Sequence, residues 1–297
     1  MFFNRKISYN KKSSKKLGWR PTWFNAQAFD EDLIEKIKKF QLSHDLKDDG
    51  LCGPTTYRRI LAQYEANISP LKPHIIIEGN PVQIPWTKTV SLYNNGNMAL
   101  PKSNFKHSRT RKDPTQIVTH FDVCLSAASC KRVLEKRGLS SHFVIDNDGT
   151  IYQMVDPAYT AWHAGSGANR RSVGVDISNA YYVKYNKTYK KRTHFERPVL
   201  KNKMVHGVKI KECLGFYDVQ LEAYKVLIDT LCNFYDIPKE YPKDDDGKLL
   251  RGVSKAAKSG KFKGIVCHYH LTRNKIDCVN LELDKIIDEI NSPTRKK

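Results

Sequence analysis

From Gln116 onwards, short apolar runs alternate with segments of helical period, and no other feature narrows the fold so far. "IVTHF" is a β-type run, and "LSAASCKRVLEKRG" reads as a helix closing on Gly138. "SHFVIDNDGTIYQMV" alternates through two strands around an Asn147-Asp148-Gly149 turn, a strong hairpin signal. "SVGVDIS" and "GIVCHYH" are further strands, and "LELDKIIDEI" is a closing helix. Between them "DVQLEAYKVLIDTLCNFYDI" sets Leu221, Tyr224, Leu227, Ile228, Leu231 and Phe234 on one helical face. Strands alternating with helices predict an α/β domain, a mixed central sheet flanked by helices, over residues 115–292.

The N-terminal part follows a different pattern. Residues 1–19 are basic and without apolar period, which predicts a poorly ordered arm. In "FDEDLIEKIKKFQ", Leu33, Ile34, Ile37 and Phe40 recur at helical spacing behind a possible N-cap at Asp30. Gly50 and Gly53-Pro54 then punctuate the chain before a second helix, so 20–66 reads as a small all-α domain. Residues 67–114 read as a linker that also supplies first strands, with "HIIIEGNPVQI" a hairpin turning at Glu78-Gly79-Asn80. The stretch 181–213, rich in Tyr, Lys and Arg, reads as an insertion in the α/β domain.

Composition excludes some classes of function. No apolar run approaches the roughly 20 residues that span a bilayer. The basic start has no apolar segment behind it, so no signal peptide is expected and synthesis is placed in the cytoplasm. Seven cysteines, an odd number, then argue for free thiols. A net charge of +20 predicts attraction to polyanions such as an anionic cell envelope. No recognition helix or zinc-finger spacing favours a specific nucleic acid.

The chemistry-bearing residues gather at strand ends. His120 closes "IVTHF", and His268 stands in the similar "GIVCHY". A catalytic zinc needs three N, O or S ligands and an open position for water, and adjacent strand ends can fix that geometry. "GIVCHYHLTRNKIDC" offers His268, His270, Asp277 and Cys278 for the remaining ligands, and zinc accepts either pairing.

These residues resemble a known family. "IVTHFD", "GLSSHFVIDNDGTIYQMVD", "AWHAG", "SVGVDISN" and "GIVCHYHLTRNKIDC" occur in the order seen in zinc-dependent N-acetylmuramoyl-L-alanine amidases of bacteria and phages. The resemblance implies the type 2 amidase fold, a Zn2+ cofactor, and ligands His120, His268 and Asp277, with Lys275 as a catalytic lysine. A second branch of that family uses cysteine, which keeps His270 with Cys278 as a rival pair; the Pro-Gly usual after the ligand aspartate is missing here. Asp176 occupies the position of the family's general-base glutamate. His163 of "AWHAG" and Asn179 are implied to contact substrate, and the spacing of Cys124 and Cys130 matches a disulfide of related animal recognition proteins. Phe40-Gln41, Asp49-Gly50-Leu51-Cys52-Gly53-Pro54 and Thr56 resemble the peptidoglycan-binding modules of wall hydrolases. Together the resemblances imply a monomeric wall hydrolase of the phage endolysin kind, acting at the bacterial wall or carried on a virion. The alternative is a non-catalytic peptidoglycan-binding or structural virion protein on the same fold.

Overall fold

The β-type runs pair into one six-stranded mixed sheet in the computed structural model, which describes residues 2–68, 72–94, 96–107, 112–193 and 195–292. Helices α1 (Phe2–Leu17), α2 (Glu31–Leu42) and α3 (Pro54–Ile68) precede a hairpin of β1 (His74–Ile77) and β2 (Asn80–Gln83), then β3 (Thr89–Val90) and β4 (Phe105–Lys106). Next come β5 (Gln116–Phe121), α4 (Ala127–Arg137), β6 (Phe143–Ile145), β7 (Ile151–Gln153), β8 (Thr160–Ala161), α5 (Ser166–Asn169) and β9 (Ser172–Ile177). The chain continues through α6 (Asn186–Thr193), the hairpin β10 (Val199–Val205) and β11 (Val208–Leu214), and α7 (Asp218–Tyr235). It ends with α8 (Lys255–Ser259), β12 (Gly264–Cys267) and α9 (Leu283–Asn291).

The sheet runs in the order β12-β5-β9-β6-β7-β3. Only the β6–β7 pair is antiparallel, as the Asn147-Asp148-Gly149 turn requires. Strand alternation sends Ile117, Phe121, Val173, Val175 and Ile177 into one core, against Tyr224, Leu227, Ile228 and Leu231 of α7 and Ile286 and Ile287 of α9. Each such buried side chain contributes about 1.5–3 kcal/mol. The other face presents Val118 and His120 of β5, and Ser172, Gly174 and Asp176 of β9. The apolar stripe of α7 ends earlier than its period predicts: Phe234 is exposed, and Cys232 takes its place beside Leu231 in the core. Among the described residues no helix is long and apolar enough to cross a membrane, and all seven cysteines are buried with free thiols.

The N-terminal segment departs from its expectation. Residues 2–17 are helical and packed, not an irregular arm. The Asn10 amide bridges Gly50 O and Cys52 N, the Ser13 hydroxyl donates to Cys52 O, and Trp19 Nε1 donates to Ser13 Oγ at 3.1 Å. This contact face is built from buried polar residues, which an apolar period cannot reveal. The turn that follows α2 is organised by Gln41, whose amide reaches Asp49, Leu51 O and Thr56 and accepts from Gly50 N. Gly50 has φ +70°, and a Cβ there would lie 2.7 Å from Ile34 Cγ2. Gly50→Ala is therefore expected to destabilise the helical unit by about 1–3 kcal/mol, read as a lower melting temperature. An unchanged melting temperature would show that the turn relaxes freely.

The described residues of 72–106 carry the expected first strands. The β1–β2 hairpin turns at Glu78 and Gly79, both with positive φ, and Gln153 clamps Ile76 through bonds to its N–H and carbonyl. The helical unit docks on the α/β part through Arg59 of α3, which bonds Asp148 Oδ2 at 2.7 Å, Asp148 O and Thr150 Oγ1. The 181–213 stretch forms α6 and the β10–β11 hairpin. Arg197 anchors it, buried between the rings of Tyr189 and Tyr217 and bonded to Gly215 O, Ser178 O, Gln220 and Asn147.

Candidate metal centre

The strand order itself assembles the site. The parallel pairing of β12 with β5 matches Cys267 with Thr119, so the next residues, His268 and His120, emerge side by side. On the other flank of β5, Asp176 is the register partner of His120. His268, His120 and Asp176 thus stand in a row at the carboxyl ends of three adjacent parallel strands. After β12 the chain tightens into a 3-10 turn over His268–His270, then loops back through Lys275 to Asp277. The Tyr269 N–H holds that return by donating to Asp277 O at 2.9 Å.

Nδ1 of His120 lies 2.9 Å from Asp277 Oδ2, and Nδ1 of His268 lies 3.0 Å from the same oxygen. The two imidazoles are 4.6 Å apart and nearly perpendicular. Donor atoms of His120, His268 and Asp277 all fall within 4.8 Å of one another, and all three residues are buried. Two nitrogens and a carboxylate oxygen, converging beside an open cleft, are a donor set and geometry that suit zinc. Electrostatics agree. Burial opposes ionisation of Asp277, but hydrogen bonds from His120 and His268 hold its carboxyl well below the usual range. Burial also opposes charge on His120, yet Asp277 and Asp176 carry its pKa above the ordinary value. For His268 burial prevails and the pKa falls.

A cleft of about 170 Å³ opens on this cluster, lined among others by Asp176, Lys275, Trp162 and His163. Asp176 is buried, and desolvation raises its pKa despite the nearby His120 charge. Lys275 is exposed at the rim, and its carbonyl accepts from His206 Nε2 at the tip of the β10–β11 hairpin, at 2.9 Å. A larger hollow of about 440 Å³ lies between the helical unit and the start of α7, lined by Arg58, Asp146 and Tyr217 but by none of the three donors.

Other residues singled out in the sequence lie elsewhere. His270 neither lines the cleft nor faces the donors. Its Nδ1 accepts from Cys267 N at 2.9 Å, its Nε2 donates to Leu250 O at 2.7 Å, and burial pulls its pKa down to about 3. Cys278 and Cys267 are fully buried in the main core. Asn179, implied as a substrate contact, is fully buried: its amide donates to Leu214 O and Gly215 O, and its oxygen accepts from Tyr181 N. His163 borders the cleft, but its ring nitrogens engage His120 and Ser172 rather than facing open space. His142 is a packing residue, accepting from Gly174 N and bonded to Tyr159 O.

Sequence reasoning passed over Asp122. Its carboxylate lines the cleft and accepts from Cys124 N, Asn179 N and Ser178 Oγ, each at 2.9 Å, tying the end of β5 to the end of β9. Burial and the charge of Asp176 push its pKa up to about 8. The signal was available, since a carboxylate directly after an apolar strand needs donors close by.

The profile of one family, described as N-acetylmuramoyl-L-alanine amidase, matches residues 110–278. The chain belongs to that family. Over 104 residues the chain is 30% identical to a putative N-acetylmuramoyl-L-alanine amidase of Rickettsia conorii. That match covers 31% of this chain and 39% of the relative's length. Among solved structures, an endolysin N-acetylmuramoyl-L-alanine amidase from Clostridium intestinale aligns at 18% identity and TM-score 0.41, over 71% of this chain and 99% of its own. A Staphylococcus aureus hydrolase solved with its ligand aligns at 14% identity and TM-score 0.41, over 78% of this chain and 88% of its own. The mixed sheet flanked by helices is the α/β architecture of the part matched by that family, and the N-terminal helical region precedes it.

Proposed function

We propose that the chain is a zinc-dependent hydrolase that cuts the amide between the lactyl group of N-acetylmuramic acid and L-alanine in peptidoglycan. The observation that carries this reading is the convergence of His120, His268 and Asp277 beside Asp176 and Lys275 in one cleft of an amidase-family chain. Those three side chains would hold the ion. When bound, zinc supplies Lewis acidity and a water acidic enough to attack near neutral pH.

The chain's own groups supply the rest. Asp176, next to His120 across the strand pair, takes the proton of the attacking water and returns it to the leaving amine. Its raised pKa suits a group that must both accept and release a proton. Lys275 places a positive charge at the cleft rim for the oxygen of the tetrahedral intermediate. Asp122, held by three donors, keeps the loop after β5 in place.

The helical unit is proposed as a wall-binding module that raises local substrate concentration, supported by its Gln41-centred turn and the wall-module motif it completes. The net charge of +20 adds attraction to an anionic envelope. A wall binder joined to a wall-cutting domain fits phage-mediated lysis or a virion-borne enzyme.

Digestion of purified peptidoglycan tests the reaction. New L-alanine amino termini and free stem peptides are expected, with activity lost on chelation and restored by stoichiometric zinc. Full activity in metal-free protein would end the zinc reading. Wall binding without released peptides would instead favour a non-catalytic recognition protein.

A further inference from the structure

We propose that His163 is a positioning residue that holds the proton of His120 on Nε2, so that Nδ1 is the nitrogen left for the metal. This rests on the zinc reading above but assigns His163 a task other than touching substrate.

The argument starts from a group that cannot change its role. The Ala168 carbonyl only accepts hydrogen bonds, and the Ser172 hydroxyl donates to it at 2.8 Å. Having one proton, Ser172 Oγ then accepts from its next partner, His163 Nε2, at 3.2 Å. An imidazole with a single proton on Nε2 has a bare Nδ1. That atom lies 3.0 Å from His120 Nε2, which must therefore carry the proton between them. The remaining nitrogen of His120, Nδ1, donates to Asp277 Oδ2 at 2.9 Å inside the donor cluster, and its proton is the one a metal would replace. One polarised chain, carbonyl to hydroxyl to imidazole to imidazole, thus selects the nitrogen that a metal would take. A ligating histidine is generally oriented through its second N–H in this way.

The fold is shaped to hold that chain. Ser172, Gly174 and Asp176 are successive same-face positions of β9. A Cβ on Gly174 would meet the His163 ring at 2.8–2.9 Å, so the glycine leaves the space the ring occupies. The loop carrying His163 is pinned by Asn169, whose oxygen accepts from His163 N at 3.1 Å and Ala164 N at 2.7 Å.

The test compares His163→Leu, which fills the space without an acceptor, with His163→Asn, whose oxygen can stand near the position of Nδ1. Zinc affinity, measured by competition with a chromophoric chelator, is expected to weaken about 10–100-fold in His163→Leu. It is expected to recover largely in His163→Asn. Long-range 1H–15N spectra of the zinc-loaded wild type should show the His120 proton on Nε2. Gly174→Ala, which displaces the ring while keeping the histidine, should weaken zinc binding in the same direction. Wild-type zinc binding matched by His163→Leu, or a His120 proton found on Nδ1, overturns this proposal alone. A wild-type protein that takes no zinc overturns the zinc reading and this one with it. If His163→Leu fails to fold, the wild-type spectrum decides.

Discussion

Replacing Asp277 with alanine is expected to strip zinc from the protein and reduce amide hydrolysis by at least about three orders of magnitude. The reason is local. Asp277 Oδ2 is the common partner of both imidazoles and brings the only negative charge among the three donors. Its removal leaves His120 and His268 facing each other with no carboxylate between them and only two protein ligands, where a catalytic zinc site needs three. Metal-assisted water activation contributes several kcal/mol of barrier lowering, and three orders of magnitude correspond to about 4 kcal/mol. Cys278→Ala is the informative contrast. Cys278 is fully buried in the main core, so its truncation should lower stability by about 1 kcal/mol while zinc is retained. Metal analysis and wall digestion on the two variants decide the matter. Zinc kept by Asp277→Ala and lost by Cys278→Ala would reverse the ligand assignment.

Arg59→Ala is expected to produce the largest loss of stability, about 3–5 kcal/mol, which lowers the melting temperature by roughly 10 °C. The Arg59 side chain is 1% exposed and that of Asp148 9%. Removing the guanidinium strands a buried carboxylate and leaves the bond to Thr150 unmade. It also unfastens α3 from the turn between β6 and β7, where the helical unit meets the α/β part. Pairing the change with a neutral partner, as in Arg59→Leu with Asp148→Asn, should recover part of the loss, because no unpaired charge remains. A melting temperature unaffected by Arg59→Ala would show that the apolar contacts of α3, such as Ala62 in the cluster with Met98 and Val144, suffice for docking.

Much of the fold was legible because its elements obey local rules. The Asn147-Asp148-Gly149 turn, the Gly138 cap of α4 and the period of α7 depend on neighbours within a few residues. The pairing of two strand-end histidines was legible too, since "IVTHF" and "GIVCH" carry the same pattern. Other features were illegible for an identifiable reason. Residues 2–17 bury Asn10 and Ser13, so the helix has no apolar signature. Asn179 looked available to substrate, yet its amide is consumed by carbonyls more than thirty residues away.

The sequence by itself determined the main strands and helices of the α/β part, the turn between β6 and β7, and the short list of residues able to bind a metal. Residue types alone left His268, His270, Asp277 and Cys278 open, since strand alternation predicts that His268 and His270 point the same way, and only the resemblance favoured His268 with Asp277. The chain leaves the strand at Cys267 and enters a 3-10 turn, and that change of geometry sends the two rings apart. One meets Asp277, and the other closes on Cys267 N and Leu250 O. The same holds for Arg59 with Asp148 and for His163 with His120. Hydrogen bonds form over about 3 Å, and only the folded chain brings residues so distant in sequence within that range.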